Sequence, residues 1–186
     1  MADAAVRPAL PTDAAEIARI QQVTWQTAYA AILPPEVLAG LDTEEAERLW
    51  LEAVSGGPAS VYVATEGEWL VGFCAAGRAP IEEITAADGA LPVDAEETAL
   101  VSVLLVEPRW GRRGHGGRLL ATAAAALRAE GARRGVTWVA EADKASLAFF
   151  RSAGWDTDGT IRTLDAGGRP LRELRLTGSL DLALVD

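Results

Sequence analysis

Residues 100–130 constrain this chain more than any other stretch. An apolar run from Leu100 to Val106 reads as a buried strand. It leads into Glu107-Pro-Arg-Trp-Gly-Arg-Arg-Gly-His-Gly-Gly117, with glycines at 111, 114, 116 and 117. An alanine-rich helical run follows, from about Arg118 to Glu130. Strand, glycine-rich turn and helix start, in that order, make an anion cradle. Glycines let the backbone approach a phosphate closely, and the free N–H groups of the first helical turn point at it. Arg112, Arg113 and Arg118 add positive charge at the same place. The segment suits a phosphorylated ligand; a glycine turn without a ligand is the other reading of this motif taken alone.

Spacing separates the known phosphate motifs. A P-loop needs G-x-x-x-x-G-K-[ST], and no Lys-Ser or Lys-Thr pair follows these glycines. A dinucleotide fingerprint needs G-x-G-x-x-G, but position 119 is Leu. What remains is G-x-x-G-x-G from Gly111 to Gly116, after a strand ending in V-x-P. A second segment, Asp143-Lys-Ala-Ser-Leu-Ala-Phe-Phe-Arg-Ser-Ala-Gly-Trp155, reads as a capping Asp, a short helix with Leu147 and Phe150 on a shared face, and a glycine stop before a new strand. The two segments resemble motif A and the later N-x-x-A-x-x-F-Y-x-x-x-G-F motif of the GCN5-related N-acetyltransferases, the GNAT family. The resemblance runs from about Val6 to Leu176, and these two segments are its specific part.

Composition bounds the alternatives. The chain has 186 residues, enough for one domain with a proper core. No apolar run approaches the ~20 residues of a membrane span, so no membrane partner is expected. The start, Met-Ala-Asp, lacks the basic and apolar regions of a signal peptide. One cysteine, Cys74, excludes an internal disulfide and, with the missing leader, points to a cytoplasmic setting. With one histidine beside that cysteine, a His/Cys metal site or Cys–His catalysis is not expected, and no metal is assigned. Net charge is −10: residues 1–100 hold seventeen acids against four arginines, and residues 101–186 thirteen bases against ten acids. A polyanion binder should be basic or carry a broad basic face, so nucleic acid is not an expected partner.

Periodicity and turn signals predict the order β-α-α-β-β-β-α-β-α-β-β. The first strand is read at Val6–Leu10 and a helix to about Tyr29, opened by a capping box at Asp13 and Glu16. A short helix follows at 35–39, then one capped by Asp42. A hairpin is read at 60–65 and 69–77, and a long acidic loop at 80–96. Next come strand 97–106, helix 117–130, strand 136–141, helix 144–152 and a hairpin of strands 155–164 and 170–176. Residues 1–176 are expected to form the domain and 177–186 a tail.

The resemblance implies a mixed α/β (α+β) acyl-CoA N-acyltransferase fold with helices on both faces of one sheet, and acetyl-CoA as cofactor. It implies that Leu104, Leu105 and Val106 meet the pantetheine arm through their main chain. The pyrophosphate falls to Gly111, Arg112, Arg113, Gly114, His115, Gly116 and Gly117. Asp143 and Phe150 occupy the family's Asn and Tyr positions. An Asp cannot donate to a pantetheine amide, and a Phe has no proton for a departing thiolate. The usual Glu base falls at Leu100, so Glu141 and then Glu97 are the candidate proton acceptors, directly or through a water. Trp25 and Tyr29, four apart on one helix face, are the candidates to line an acceptor pocket. The implied activity is transfer of acetyl to a small-molecule primary amine or a peptide N-terminus. Six acids and no base between Glu82 and Glu97 favour a cationic acceptor, a plain solvated loop being the other reading. A homodimer is compatible with this reading. The rival, motivated by Phe150 and Leu100, is a non-catalytic acyl-CoA-binding or sensing domain.

Overall fold

The computed structural model describes residues 3–182, in which seven strands form one sheet in the order β1-β2-β3-β4-β5-β7-β6. The strands are β1 (Ala4–Pro8), β2 (Ser60–Glu66), β3 (Trp69–Arg78), β4 (Thr98–Val106), β5 (Arg134–Ala140), β6 (Asp156–Ala166) and β7 (Arg169–Ser179). Only β4 and β5 pair in parallel; the other neighbours are antiparallel. The helices are α1 (Ala14–Ala28), α2 (Pro35–Ala39), α3 (Thr43–Gly56), α4 (Ile81–Ile84), α5 (His115–Ala129) and α6 (Lys144–Ser152). The expected fold class is observed, and the strands and helices come in the expected succession, with three helices rather than two between β1 and β2 and with α4 added inside the acidic loop.

Side-chain alternation, shifted once in β4 by an extra residue at Ser102, explains the layers. Val101, Leu104 and Val106 face α5 and α6, whose Leu119, Leu120, Leu127, Leu147 and Phe150 complete the larger core. Val103 and Leu105 face the other way, onto Ile17 and Ile20 of α1 and Trp50 of α3. Lower on that second face, α4 and its loop cover Leu100 and Val136 with Ile84, Ala79 and Ala95. Cys74 is fully buried in the first core, and burial pushes its thiol up to about 12, so it is an unreactive packing residue.

Three local readings change. Asp13 does not cap α1: its carboxylate accepts the Leu10 N–H at 2.7 Å and pairs with Arg7, while Glu16 bonds Arg19 at 2.8 Å. Asp42, by contrast, caps α3 by accepting from the Glu44 and Glu45 N–H groups. Helix α5 starts two residues early, because Gly116 and Gly117 lie inside its first turn. Strand β7 runs on to Ser179, and Leu180 is buried behind it, so the last strand enters the segment expected to be a tail. Residues 183–186 of that tail lie outside the described residues. Among the described residues no helix is long and apolar enough to cross a membrane.

Candidate active site

The site begins with a fault in β4. Ala76 pairs with Val101 and Ala75 with Val103, so Ser102 is an extra residue in the ladder, a bulge. Its Oγ donates to the Ala75 carbonyl at 3.1 Å. Pairing with β5 covers only Thr98, Ala99 and Leu100 against Arg134, Gly135 and Val136. The Thr137 hydroxyl donates to the Val101 carbonyl at 2.9 Å and closes the foot of the gap. Beyond it the two strands diverge, and Ser102 is exposed in mid-sheet.

At the open end, β4 passes through a 3₁₀ turn (Pro108–Trp110) into the glycine loop. Arg112 has φ 61°, and is the one non-glycine residue with positive φ among the described residues. Gly114, at φ 79°, is the N-cap of α5, and no side chain caps that helix. The first-turn N–H groups therefore face outward unsatisfied, at the positive end of the helix dipole. A Cβ on Gly116 would stand 3.2 Å from the Phe149 ring, so the helix approaches α6 closely there.

Polar ties hold this loop. His115 Nε2 lies 2.8 Å from Glu66 Oε2, and Arg113 Nη1 lies 2.8 Å from Glu66 Oε1, so the end of β2 anchors the loop from below. Glu107, 5% exposed, takes Arg19 of α1 at 3.1 Å and Arg109 at 2.8 Å. Burial alone would raise both carboxylates, but His115 with Arg113, and Arg19 with Arg109, hold Glu66 and Glu107 below the ordinary range. Such groups stabilise the fold fully above their unfolded values near pH ~4.3 and lose that contribution as pH falls through the folded values. We expect a Tm that is flat above pH ~5 and falls steeply below pH ~4, with a smaller acid-induced drop in Glu107→Gln. An unchanged acid-induced drop in that variant would contradict the assignment.

A cleft of about 770 Å³ runs along the gap and over the loop. It is walled by Thr24 and Tyr29 of α1, by Leu104, Leu105 and Val106 of β4, by Gly111, Arg112 and Gly114 to Gly117, and by Asp143, Phe149 and Phe150 around α6. Asp143 caps α6, with Oδ1 accepting the Ser146 N–H at 3.0 Å. Its Oδ2 accepts the Ser146 hydroxyl at 2.7 Å and the Tyr29 hydroxyl at 3.1 Å. Tyr29 thus bridges the end of α1 to the start of α6. Burial, then the charges of Asp143 and Glu173, push its phenol well above the ordinary range, so it stays protonated. Phe150 is buried and stacked on Trp155, with ring centroids 5.4 Å apart.

Most of the residues expected to form the cofactor site therefore meet in one cleft. Arg113 does not line it, because Glu66 holds its guanidinium. Trp25 faces a separate groove of about 510 Å³ between α1 and α3, beside Trp50 and Leu49. Glu97 lies before the opposite end of β4, paired with Arg133 at 3.3 Å. Glu141 follows β5, is 45% exposed and lies 3.5 Å from Arg172. Neither carboxylate lines the cleft. The acidic loop is partly neutralised: Glu83 pairs with Arg162 and Asp94 with Arg134. Sequence reasoning missed Glu66 and the β5–β7 cluster of Trp138, Arg162 and Glu173. Alternation along β7 puts Glu173 and Arg175 on one face, but nothing local says what that face meets.

A mixed sheet split between its two parallel strands, with an uncapped helix start at the mouth of the split, defines an acyl-CoA N-acyltransferase fold. Residues 18–155 match the acetyltransferase (GNAT) family, and the chain belongs to that family, whose acyl donor is acetyl-CoA. Solved structures share the fold. PaiA N-acetyltransferase from Thermoplasma acidophilum, in complex with coenzyme A, is 15% identical with a TM-score of 0.71 over 95% of this chain and 99% of its own. YncA from Salmonella typhimurium, solved with acetyl-CoA, is 20% identical, with a TM-score of 0.67 over 96% and 94%. Ribosomal-protein-alanine N-acetyltransferase from Brucella melitensis is 20% identical, with a TM-score of 0.71 over 94% and 99%. No curated protein sequence matches the chain.

Proposed function

We propose that this chain transfers acetyl from acetyl-CoA to a primary amine by direct attack. One observation carries the reading: the gap between β4 and β5 opens into a single cleft that ends on the uncapped start of α5. When bound, acetyl-CoA supplies a thioester carbon open to a neutral amine. The first-turn N–H groups of α5, with Arg112 beside them, suit the pyrophosphate. The gap-side main chain of Leu104 to Val106 has no strand partner in β5, and suits the pantetheine amides. Asp143 has spent three acceptor positions on Ser146 and Tyr29, which leaves about one for a pantetheine N–H.

The acceptor is a small-molecule amine or a peptide N-terminus, and we favour a cationic one. The support is now the pair Asp143 and Glu173 around Tyr29 rather than the whole acidic loop. The test is thiol release from acetyl-CoA with a panel of diamines, monoamines, amino acids and peptides. Turnover is expected, with diamines ahead of amino acids. No release with any amine, while acetyl-CoA still binds, would favour a second reading, an acyl-CoA-binding domain without catalysis.

Two departures favour that second reading, Leu100 where a Glu base is usual, packed under α4, and the missing hydroxyl at Phe150. Its ring lines the cleft but packs on Trp155 and Phe149. If thiolate protonation limits turnover, Phe150→Tyr raises kcat at pH 7–8. The ceiling is the ~10²–10⁴-fold worth of a general acid, reduced for a phenol not built for the place. No gain in a folded variant with unchanged acetyl-CoA affinity would assign that proton to water.

A further inference from the structure

We propose that Glu173 on β7 takes the proton of the attacking amine, an inference that rests on the acetyltransferase reading above. The residues expected for this task, Glu97 and Glu141, are about half exposed, and neither lines the cleft. Glu173 is not part of the cleft wall either, but it is less exposed and lies beside the gap. Its register partner on β5 is Ala140, on the stretch of β5 that no longer pairs with β4 and so borders the gap. Antiparallel partners share a face, so only a methyl group stands beside Glu173 on the gap side.

That face is identifiable. Two residues along β7, Arg175 pairs in register with Trp138, and Trp138 is two residues from Val136, which packs under α4. Trp138, Ala140, Glu173 and Arg175 therefore lie together on the α1 and α4 side of the sheet. Tyr29, at the end of α1, lines the cleft, and the charge of Glu173 adds to burial and to that of Asp143 in raising its phenol.

Glu173 is also oriented. Its Oε2 accepts from Arg162 Nε at 2.6 Å. Arg162 is held in turn by Glu83 Oε2 at 3.0 Å and lies over the Trp138 ring, 4.3 Å from its centroid. Among the described residues no donor reaches Oε1, and the side chain is 15% exposed. One carboxylate oxygen is thus fixed and the other is free in a nearly dry place. The charged and titratable groups around it are Arg162 from β6, Glu83 from α4 behind that arginine, Tyr29 from α1, which carries Asp143 on its hydroxyl, and Arg175 on β7 itself.

The proton account closes. The amine lone pair forms the C–N bond, and the C–S bond breaks with its electron pair going to sulfur. The surplus proton on nitrogen passes to Glu173 Oε1, directly or through one water, and on to solvent. Sulfur takes its proton from water.

The test uses the whole protein with acetyl-CoA and the fastest of spermidine, 1,3-diaminopropane, benzylamine and an alanine-initiated peptide. Glu173→Gln is expected to lower kcat/KM for that amine by ~10²–10³-fold, the range of general-base assistance. The acetyl-CoA Kd should hold within about twofold, and Glu141→Gln should retain activity. Arg162 keeps Glu83 in the Gln variant, which favours folding. Should the variant still unfold, Glu173→Asp decides, since it keeps the charge but withdraws the oxygen by one methylene: a fall of about tenfold in kcat at constant Kd is expected. A folded Glu173→Gln enzyme with near wild-type kcat/KM, a loss confined to acetyl-CoA affinity, or full kcat in Glu173→Asp would overturn the role of Glu173 alone. A wild-type protein that releases no thiol with any amine overturns the acetyltransferase reading, and this inference with it.

Discussion

Gly178→Val is expected to destabilise the protein by about 3–5 kcal/mol, the range for losing a buried aromatic anchor. Gly178 and Gly135 are register partners on β7 and β5, and the Trp155 indole lies over both. A Cβ at either position would fall inside the indole, and at 178 it would also meet the Trp155 backbone. Trp155 is 1% exposed, donates its Nε1–H to the Ser179 carbonyl at 3.0 Å and stacks on Phe150. A valine must therefore expel the ring and strand its donor, or prise β7 from β5. At roughly 2–4 °C per kcal/mol for a domain of this size, Tm should drop by about 10 °C or more. Because Phe150 lines the cleft, the loss of its stacking partner should weaken acetyl-CoA binding as well. A Gly178→Val protein melting within about 2 °C of wild type would refute this packing account.

The second large effect is on the cofactor and spares the fold. Gly116 has ordinary helical φ, so a side chain there strains no backbone. Its Cβ would stand 3.2 Å from the Phe149 ring and 3.7 Å from Leu104 Cδ2, and the two further carbons of a valine would fill the cleft between β4 and α6. Gly116→Val should cost about 1–3 kcal/mol of acetyl-CoA binding, roughly 5–150-fold in Kd, with secondary structure retained. Calorimetry with acetyl-CoA measures it. An unaltered Kd in the folded variant would remove the glycine loop from the cofactor site. Gly114→Val is the contrasting control: at φ 79° a β-branched residue is strained whatever the space, so stability should fall along with binding.

The site was legible in the sequence wherever its physics is local. The order of strand, glycine loop and helix, the Asp42 and Asp143 caps and the apolar faces of α1 and α6 all follow from spacings of two to four residues, and all are observed. Family resemblance added the expected roles. The misreadings are of another kind. Asp13 had the right spacing for a cap, but Arg7 on the preceding strand outbid the helix for its carboxylate. Glu97 and Glu141 were placed by chain position near the right strands, but one precedes the far end of β4 and the other turns to Arg172.

Trp25 shows the same limit within a single helix. It shares a face with Tyr29, edge to face at 6.3 Å, yet α3 closes over one ring and the cleft wall takes the other. The bulge at Ser102 is invisible in the sequence of a largely apolar strand, because a bulge is a mismatch against β3 and does not belong to β4 alone. Gly135 and Gly178 are 43 residues apart and meet only under Trp155. Glu66 reads as a hairpin residue until His115 and Arg113 arrive on it. By itself the sequence determined the main elements, the Asp42 and Asp143 caps and the glycine-rich start of α5, since these depend on contacts within a few residues. Tertiary structure alone decided where the sheet splits and which carboxylates are tied to arginines. Those outcomes depend on strand register and on charge partners contributed from distant parts of the chain.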